Sequence, residues 1–543
     1  MKNTGESEQR MNNITLYDTT LRDGTQGEEI SFSVEDKLRI AQCLDDFGIQ
    51  YIEGGWPGSN PRDLEFFRRA KSLKLGQARI AAFGSTRRQK NPVQSDPNIC
   101  SLLEAETPVV TIFGKSWLLH VHAALNISEE ENLELISESV EYLVRQGREV
   151  VYDAEHFFDG YKHNAPYALR TLQEAHTAGA GTIVLCDTNG GSLPEEVEKI
   201  VRDVRKHLIG PMGIHAHNDG ELAVANTLAA IAAGAEHVQG TMNGFGERCG
   251  NANLCSIIPN LQLKLGRPCV SSAQLATLTQ LSKLVSELAN LSPRKHLPFV
   301  GKSAFAHKGG VHVSAVMKNP ATYEHIDPEW VGNRRRVLVS DLSGRSNVAY
   351  KAKELGVSLD EKSDATRRIV EEIKSREYQG YHYEDADGSL EILIRQNLER
   401  WQNFFELGGF KVITQKESIE AEPTSEASIK VRVGSDIEHT AADGNGPVNA
   451  LDQALRKALE RFYPELKNVV LSDYKVRVLD GFEGTGSKVR VLVTMRDEQS
   501  SWNTVGVSSN IIEASWKALV DGIFHYLMKR RPQSESSWRA EAI

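Results

Sequence analysis

From Ile14 to about residue 260, short apolar runs alternate with longer stretches whose apolar residues recur every three or four positions. The short runs read as strands at Ile14–Leu21, Tyr51–Gly55, Ala78–Gly84, Val109–Phe113, Val150–Ala154, Thr182–Cys186, Gly213–Ala216 and His237–Met242. Between them, Val34–Phe47, Glu129–Arg145, Pro194–His207 and Leu222–Ala233 carry the helical period. Ser33 and Ser128 stand at N-cap positions, and Gly48, Gly147 and Gly234 stand where those helices should stop. Eight strand–helix units in about 250 residues specify a (β/α)8 TIM barrel rather than an open sheet. A doubly wound sheet would need a phosphate-binding glycine turn after an early strand. Neither G-x-G-x-x-G nor G-x-x-x-x-G-K-[ST] occurs, and the pairs Gly54-Gly55 and Gly190-Gly191 read as turn glycines.

Beyond the barrel the pattern changes twice. Residues 271–377 are polar and helical, with apolar spacing in Leu275–Leu288 and Ala365–Ile373, as expected of an accessory or linking region. Residues 378–543 mix candidate strands (Leu390–Arg395, Ile429–Val433, Tyr474–Val478, Val489–Met495) with candidate helices (Val448–Phe462, Ile511–Met528), which predicts an α+β domain. Lys411–Ser428, charged and rich in Glu and Ser, reads as a loop. The expected organisation is a polar tail at 1–12, a barrel at 13–270, the accessory region, and then the C-terminal domain.

Composition narrows the class. A net charge of -10 over 543 residues disfavours nucleic acid and anionic membranes as partners, and Arg334-Arg335-Arg336 reads as a solvated basic face. No window is long and apolar enough for a membrane span and the start lacks a secretory core, so a cytoplasmic protein is expected. The six cysteines contain no C-x-x-C pair, which leaves them as reduced thiols rather than a disulfide or zinc framework.

In a (β/α)8 barrel the reactive groups lie at the C-terminal ends of the strands. Here those ends are strongly polar: Arg22-Asp23 after the first strand, Glu155-His156 after the fifth, Asp187-Thr188 after the sixth, and His215-Ala216-His217 on the seventh. Residues two apart on a strand face the same side, so His215 and His217 can offer both imidazoles to one cation, with Asp23 supplying a hard oxygen. Arg22 has the fork to hold a carboxylate or an oxygen that gains charge. Asp187 and Asp219 read as turn or cap residues behind that site. His120 and His122 lie past the end of strand four with no carboxylate beside them, and read as structural.

At this point the chain resembles a family. Leu21-Arg22-Asp23-Gly24-Thr25-Gln26, His215-Ala216-His217-Asn218-Asp219 and Gly246-Glu247-Arg248-Cys249-Gly250-Asn251-Ala252 are similar to signatures of the 2-isopropylmalate, homocitrate and citramalate synthases. The likeness runs on through His307-Lys308-Gly309-Gly310-Val311-His312 into a C-terminal region similar to the family's regulatory domain. It implies an acyltransferase that condenses acetyl-CoA with a 2-oxo acid, using a divalent cation (Mn²⁺, Mg²⁺, Zn²⁺ or Co²⁺). Asp23, His215 and His217 would be ligands, with Asn251 completing or supporting the sphere. Arg22 would face the oxo acid, and Glu155 and Thr188 would contact substrates. His312 and Tyr323 would reach the neighbouring subunit's site in a homodimer. The base that deprotonates the acetyl methyl is then Glu155 or His312, with Tyr323 beside it. The segments Gly55–Pro61 and Asp153–Gly160, with Trp56 and Phe157-Phe158, resemble one bacterial group of citramalate synthases, which implies pyruvate as acceptor rather than 2-oxoisovalerate or 2-oxoglutarate. A carbon–carbon lyase of the same barrel superfamily shares the Arg-Asp and H-x-H elements but has no need of the C-terminal domain. An amino-acid sensor without activity would have no need of the intact polar set.

The regulatory domain implies a feedback effector, isoleucine if the product feeds isoleucine synthesis, with leucine as the alternative. Two glycine-bearing turns lead into helices, at Asp443–Ala450 and Gly506–Ala514, and helix N-termini of this kind can hold a carboxylate.

Overall fold

The computed structural model describes residues 14–398, 401, 403–479 and 484–531. The polar tail expected at 1–12 lies outside the described residues. The chain forms two compact units. One holds the barrel to Phe305 together with His325–Arg335, and the other holds Ala306–Glu324 and the chain from Arg336 onward.

In the first unit eight parallel strands close in chain order: β1 Thr15–Asp18, β2 Tyr51–Gly55, β3 Arg79–Ser85, β4 Val109–Lys115, β5 Glu149–Glu155, β6 Thr182–Asp187, β7 Met212–Ala216 and β8 His237–Gly240. Closure is the β1–β8 pairing, from Thr15 opposite His237 to Asp18 opposite Gly240. Strand alternation sorts the side chains. Leu16, Ile52, Ile80, Val110, Ile112, Val150, Ile183, Leu185 and Ile214 join the core shared with the surrounding helices. Tyr17, Ala81, Val109, Val151, Val184 and Cys186 fill the barrel's centre.

The helix boundaries follow from the caps. Val34–Phe47 and Glu129–Arg145 open on reciprocal capping boxes, Ser33 with Asp36 and Ser128 with Glu131, and Gly48 ends the first in a left-handed conformation. At the end of β2, a Cβ on Gly54 would lie 2.3 Å from the Phe66 ring, so close helix packing rather than chemistry requires that glycine.

The second unit contains the helices Gly310–Lys318, Arg345–Glu354 and Asp364–Tyr378, followed by two modules of the same plan. In each module a three-stranded antiparallel sheet is followed by one long helix. The first has strands Glu406–Gln415, Thr424–Val433 and Asp436–Gly444 with helix Pro447–Leu459. The second has Val470–Val478, Val489–Arg496 and Ser501–Ser508 with helix Ile511–Arg530.

Two expectations are corrected here. Leu390–Arg395, read as a strand, belongs to helix Asp387–Asn397; every residue from Gly388 to Ile394 is buried, so the run loses the polar positions that would mark a helical period. Lys411–Ser428, read as a loop, is mostly a β-hairpin in which only 416–423 connects the strands; Glu406–Gln415 has one largely solvent-facing side, which makes its composition polar. The boundary expected at 377/378 falls within a continuous buried cluster joining Val348, Ile369 and Ile373 to Tyr383, Leu390 and Leu393.

Candidate active site

At the end of β1, Asp18 accepts hydrogen bonds from the Thr20 amide (2.9 Å) and hydroxyl (2.8 Å). Thr20 Oγ1 in turn accepts from the Met242 amide after β8, at 2.8 Å. This tie holds the turn that carries Arg22 and Asp23 over the barrel's mouth. β7 brings His215 and His217 to the same place, their rings 5.2 Å apart. One ligand atom from each of Asp23, His215 and His217 lies within 4.8 Å of the others, and all three residues are buried.

The donor set fits a divalent cation. His215 Nε2 is 3.3 Å from Asp23 Oδ2, while its Nδ1 is 2.8 Å from Gln239 Oε1. Asn251, bridged to His217 through the backbone, donates its amide to the Phe245 carbonyl. Its Oδ1 and the Nδ1 of His217 are buried and have no hydrogen-bond partner among the described residues. Such orphans are costly unless something at the site accepts their lone pairs. Burial opposes charge on Asp23, but the Arg22 guanidinium and His215 hold its carboxyl well below the usual carboxylate range. Burial and the neighbouring His215 bring His217 down to about 4, leaving it a neutral ligand at physiological pH.

Arg22 is held on three sides. Its Nε donates to Glu53 Oε1 at 2.5 Å, its Nη1 lies 3.5 Å from Asp23, and its guanidinium lies 3.6 Å from the centroid of the Phe83 ring. Glu53 also accepts from the Tyr17 hydroxyl at 2.7 Å, which is 2.6 Å from Thr111 Oγ1. Glu53 was not among the residues expected at the site. Its signal in sequence is a lone carboxylate in an otherwise uncharged strand, on the inward side of β2. Glu155 pairs with Lys115 at the end of β4, another residue that the strand-end reading passed over. Thr188 Oγ1 accepts from the His156 amide at 2.9 Å and keeps its own proton to donate. Asp187 accepts from the Ser192 amide and hydroxyl, and Asp219 pairs with Arg248 at 2.8 Å, so both serve the loops behind the site.

Arg22, Asp23, Glu155, Thr188, His215 and His217 surround a cavity of about 250 Å³ whose apolar wall is Trp56, Phe83 and Phe113. Trp56 meets both phenylalanines edge-on, at 5.7 and 5.9 Å. Phe157 and Phe158 do not line it. Both are fully buried in the core shared with the barrel's helices, because the helix after β5 turns them away from the mouth. A second cavity of about 580 Å³, lined by Gly27–Ile30, the loop after β8 and Arg294, shares Arg248 with the first. His120 packs on His156 with ring centroids 4.2 Å apart.

In the second unit His312 and Tyr323 stack on each other, centroids 4.3 Å apart, and both are exposed. Of the two glycine-bearing turns, the one before Ile511 has its first amides occupied by the Asn510 side chain, which accepts from Ile512 and Glu513. The one before Pro447 has Gly446 at the N-cap and no side-chain cap.

Comparisons with known proteins agree along the chain. Residues 13–285 match the family described as HMGL-like, 299–380 the homocitrate synthase post-HMGL domain-like family, and 384–527 the LeuA allosteric (dimerisation) domain. An (R)-citramalate synthase of Geobacter sulfurreducens is 60% identical over 96% of this chain and 98% of its own length. One from Aquifex aeolicus is 55% identical over 95% and 98%. A 2-isopropylmalate synthase of Methanocaldococcus jannaschii is 32% identical over 95% of each chain. No helix among the described residues is long and apolar enough to cross a membrane.

Proposed function

Since the chain belongs to the (R)-citramalate synthase family, we propose that it condenses acetyl-CoA with pyruvate and water to give citramalate and CoA, and that the product feeds isoleucine synthesis. The observation that carries this reading is the buried Asp23–His215–His217 trio with Arg22 beside it, opening on a small cavity walled by three aromatic rings.

Asp23, His215 and His217 would hold the cation, with the Asn251 carbonyl oxygen completing the sphere. Bound there, the ion would polarise the 2-oxo carbonyl. One carboxylate with two imidazoles accommodates Mn²⁺, Mg²⁺, Zn²⁺ or Co²⁺. Arg22, steadied by Glu53, stabilises the oxygen that gains negative charge as the acetyl carbon attacks. The Thr188 hydroxyl donates to the acceptor's carboxylate. Trp56, Phe83 and Phe113 form the apolar wall against which the acceptor's alkyl group would pack, and the likeness to citramalate synthases favours pyruvate over 2-oxoisovalerate. Glu155 or His312 takes the proton from the acetyl methyl, with Tyr323 next to His312. An exposed His–Tyr stack is what a residue pair donated to a neighbour's site in a homodimer requires.

Isoleucine is the proposed feedback effector, with leucine as alternative, held in the C-terminal modules. The uncapped amides of Gly446, Val448 and Asn449 favour the first module over the second. Release of CoA from acetyl-CoA with pyruvate, 2-oxoisovalerate and 2-oxoglutarate tests the reaction. The highest kcat/KM is expected with pyruvate, and a higher value with 2-oxoisovalerate would make the chain an isopropylmalate synthase. Cutting the chain near Gln379 would sever the cluster of Val348, Ile369 and Leu390, so the effector is better tested in the full chain. Gly446→Val should abolish isoleucine inhibition and leave turnover intact, and undiminished inhibition would refute this location.

A further inference from the structure

From the metal trio a buried chain of polar groups reaches across the barrel to Asp153, which also lines the small cavity. His215 Nδ1 is 2.8 Å from Gln239 Oε1, and Gln239 Nε2 donates to Asp153 Oδ1 at 2.9 Å. Gln239 is fully buried, and Asp153 is nearly so. The three residues come from β7, β8 and β5, so no local turn or cap accounts for their meeting. A glutamine in the middle of a barrel is costly unless both ends of its amide are satisfied; here each end has one partner.

We infer that Gln239, oriented by Asp153, is a positioning residue that sets the tautomer of His215. The inference rests on the metal-site reading above. His215 can ligate through Nε2, which faces Asp23, only if the ring proton is on Nδ1. That proton needs an acceptor, and Gln239 Oε1 is the one within reach. The amide could equally be turned over, offering its NH₂ to His215 and forcing the ring proton onto Nε2, where it would block ligation. An ionised Asp153 opposes this, because its oxygen accepts from the NH₂ end and would face the amide oxygen unfavourably in the turned arrangement. A residue two hydrogen bonds from the cation thereby decides whether the imidazole is a ligand.

The test reads Mn²⁺ binding by electron paramagnetic resonance on the intact protein, with thermal melting as a control for folding. Gln239→Met keeps the volume and removes the acceptor; it should weaken Mn²⁺ binding about 10- to 100-fold, the range for loss of a ligand's outer partner. The double variant Asp153→Asn with Gln239→Glu inverts the polarity of one link. The introduced glutamate accepts both from the amide of the introduced asparagine and from His215 Nδ1–H, so binding should return to within about threefold of the unaltered protein. A role in packing alone predicts the opposite order, since the double variant changes two buried residues. Unchanged binding in Gln239→Met, or a double variant as weak as Gln239→Met, overturns the inference. If one variant does not fold, the other decides by the same criterion. If the unaltered protein itself binds no Mn²⁺, the metal-site reading has failed rather than this one.

Discussion

Glu53→Gln isolates the charge that holds Arg22. The substitution is nearly isosteric. The new amide oxygen can still accept from Arg22 Nε, now held at 2.5 Å, and the new NH₂ can donate to Tyr17, whose hydroxyl then donates to Thr111. What disappears is the carboxylate charge, leaving Asp23, 3.5 Å away, as the guanidinium's main counter-charge. Arg22 should therefore swing toward Asp23 and away from the acceptor. Outright removal of one oxyanion donor costs about 100- to 1000-fold in kcat. Misplacement costs less, so Glu53→Gln should lower kcat about 10- to 100-fold, with a smaller change in KM for pyruvate. The assay is thiol release from acetyl-CoA, run beside Mn²⁺ binding and thermal melting to separate chemistry from metal loss and unfolding. Arg22→Ala supplies the decisive comparison: if Glu53 acts through Arg22, adding Glu53→Gln to Arg22→Ala costs nothing further. Losses that multiply, or a Glu53→Gln enzyme with wild-type kcat, would refute the assignment.

Three other outcomes follow from the geometry. Exhaustive chelation, or His217→Ala, should abolish turnover, and Mn²⁺ should restore it to the chelated enzyme only; residual full activity in either case contradicts the metal trio. Phe113→Ala opens the aromatic wall, and at about 1 to 3 kcal/mol per methylene-sized step the kcat/KM ratio of 2-oxoisovalerate to pyruvate should rise about 10-fold or more; an unchanged ratio places the acceptor elsewhere. In the second unit, burial pushes Glu391 up, but His525 and Lys529 outweigh it and bring it down to about 2. A carboxyl depressed on folding contributes stability above its unfolded value that is lost as pH falls through its folded one, so Glu391→Gln should cost about 3 kcal/mol at pH 7 and progressively less below about pH 4.5. Denaturant melts with a pH-independent difference would rule this out.

The barrel was legible because its rules are local and repeated. Alternation placed every strand to within a few residues, and Ser33 and Ser128 marked helix starts through a capping geometry written within a single turn of chain. The trio at the mouth was legible because H-x-H on a strand is itself a geometric statement. Glu53, Lys115, Gln239 and Asp153 were harder to find, since each owes its role to a partner on another strand. The helix at Asp387–Asn397 was misread for a related reason: burial on all sides removes the polar stripe by which a helix announces its period. Phe157 and Phe158, which carry part of the family resemblance, turn their rings into the core rather than the site.

The second unit joins the helix Gly310–Lys318, which bears His312, to both sheet-and-helix modules in one compact body. The accessory helices Arg345–Glu354 and Asp364–Tyr378 share a buried cluster, from Val339 to Val505, with the second module. The His312–Tyr323 stack is therefore cargo carried by the same body that is proposed to sense the amino acid. A ligand that tilts the modules would carry that imidazole with them if the unit shifts as one body. Inhibition of this kind needs no relay of side-chain flips; a small rigid displacement would withdraw two side chains at once.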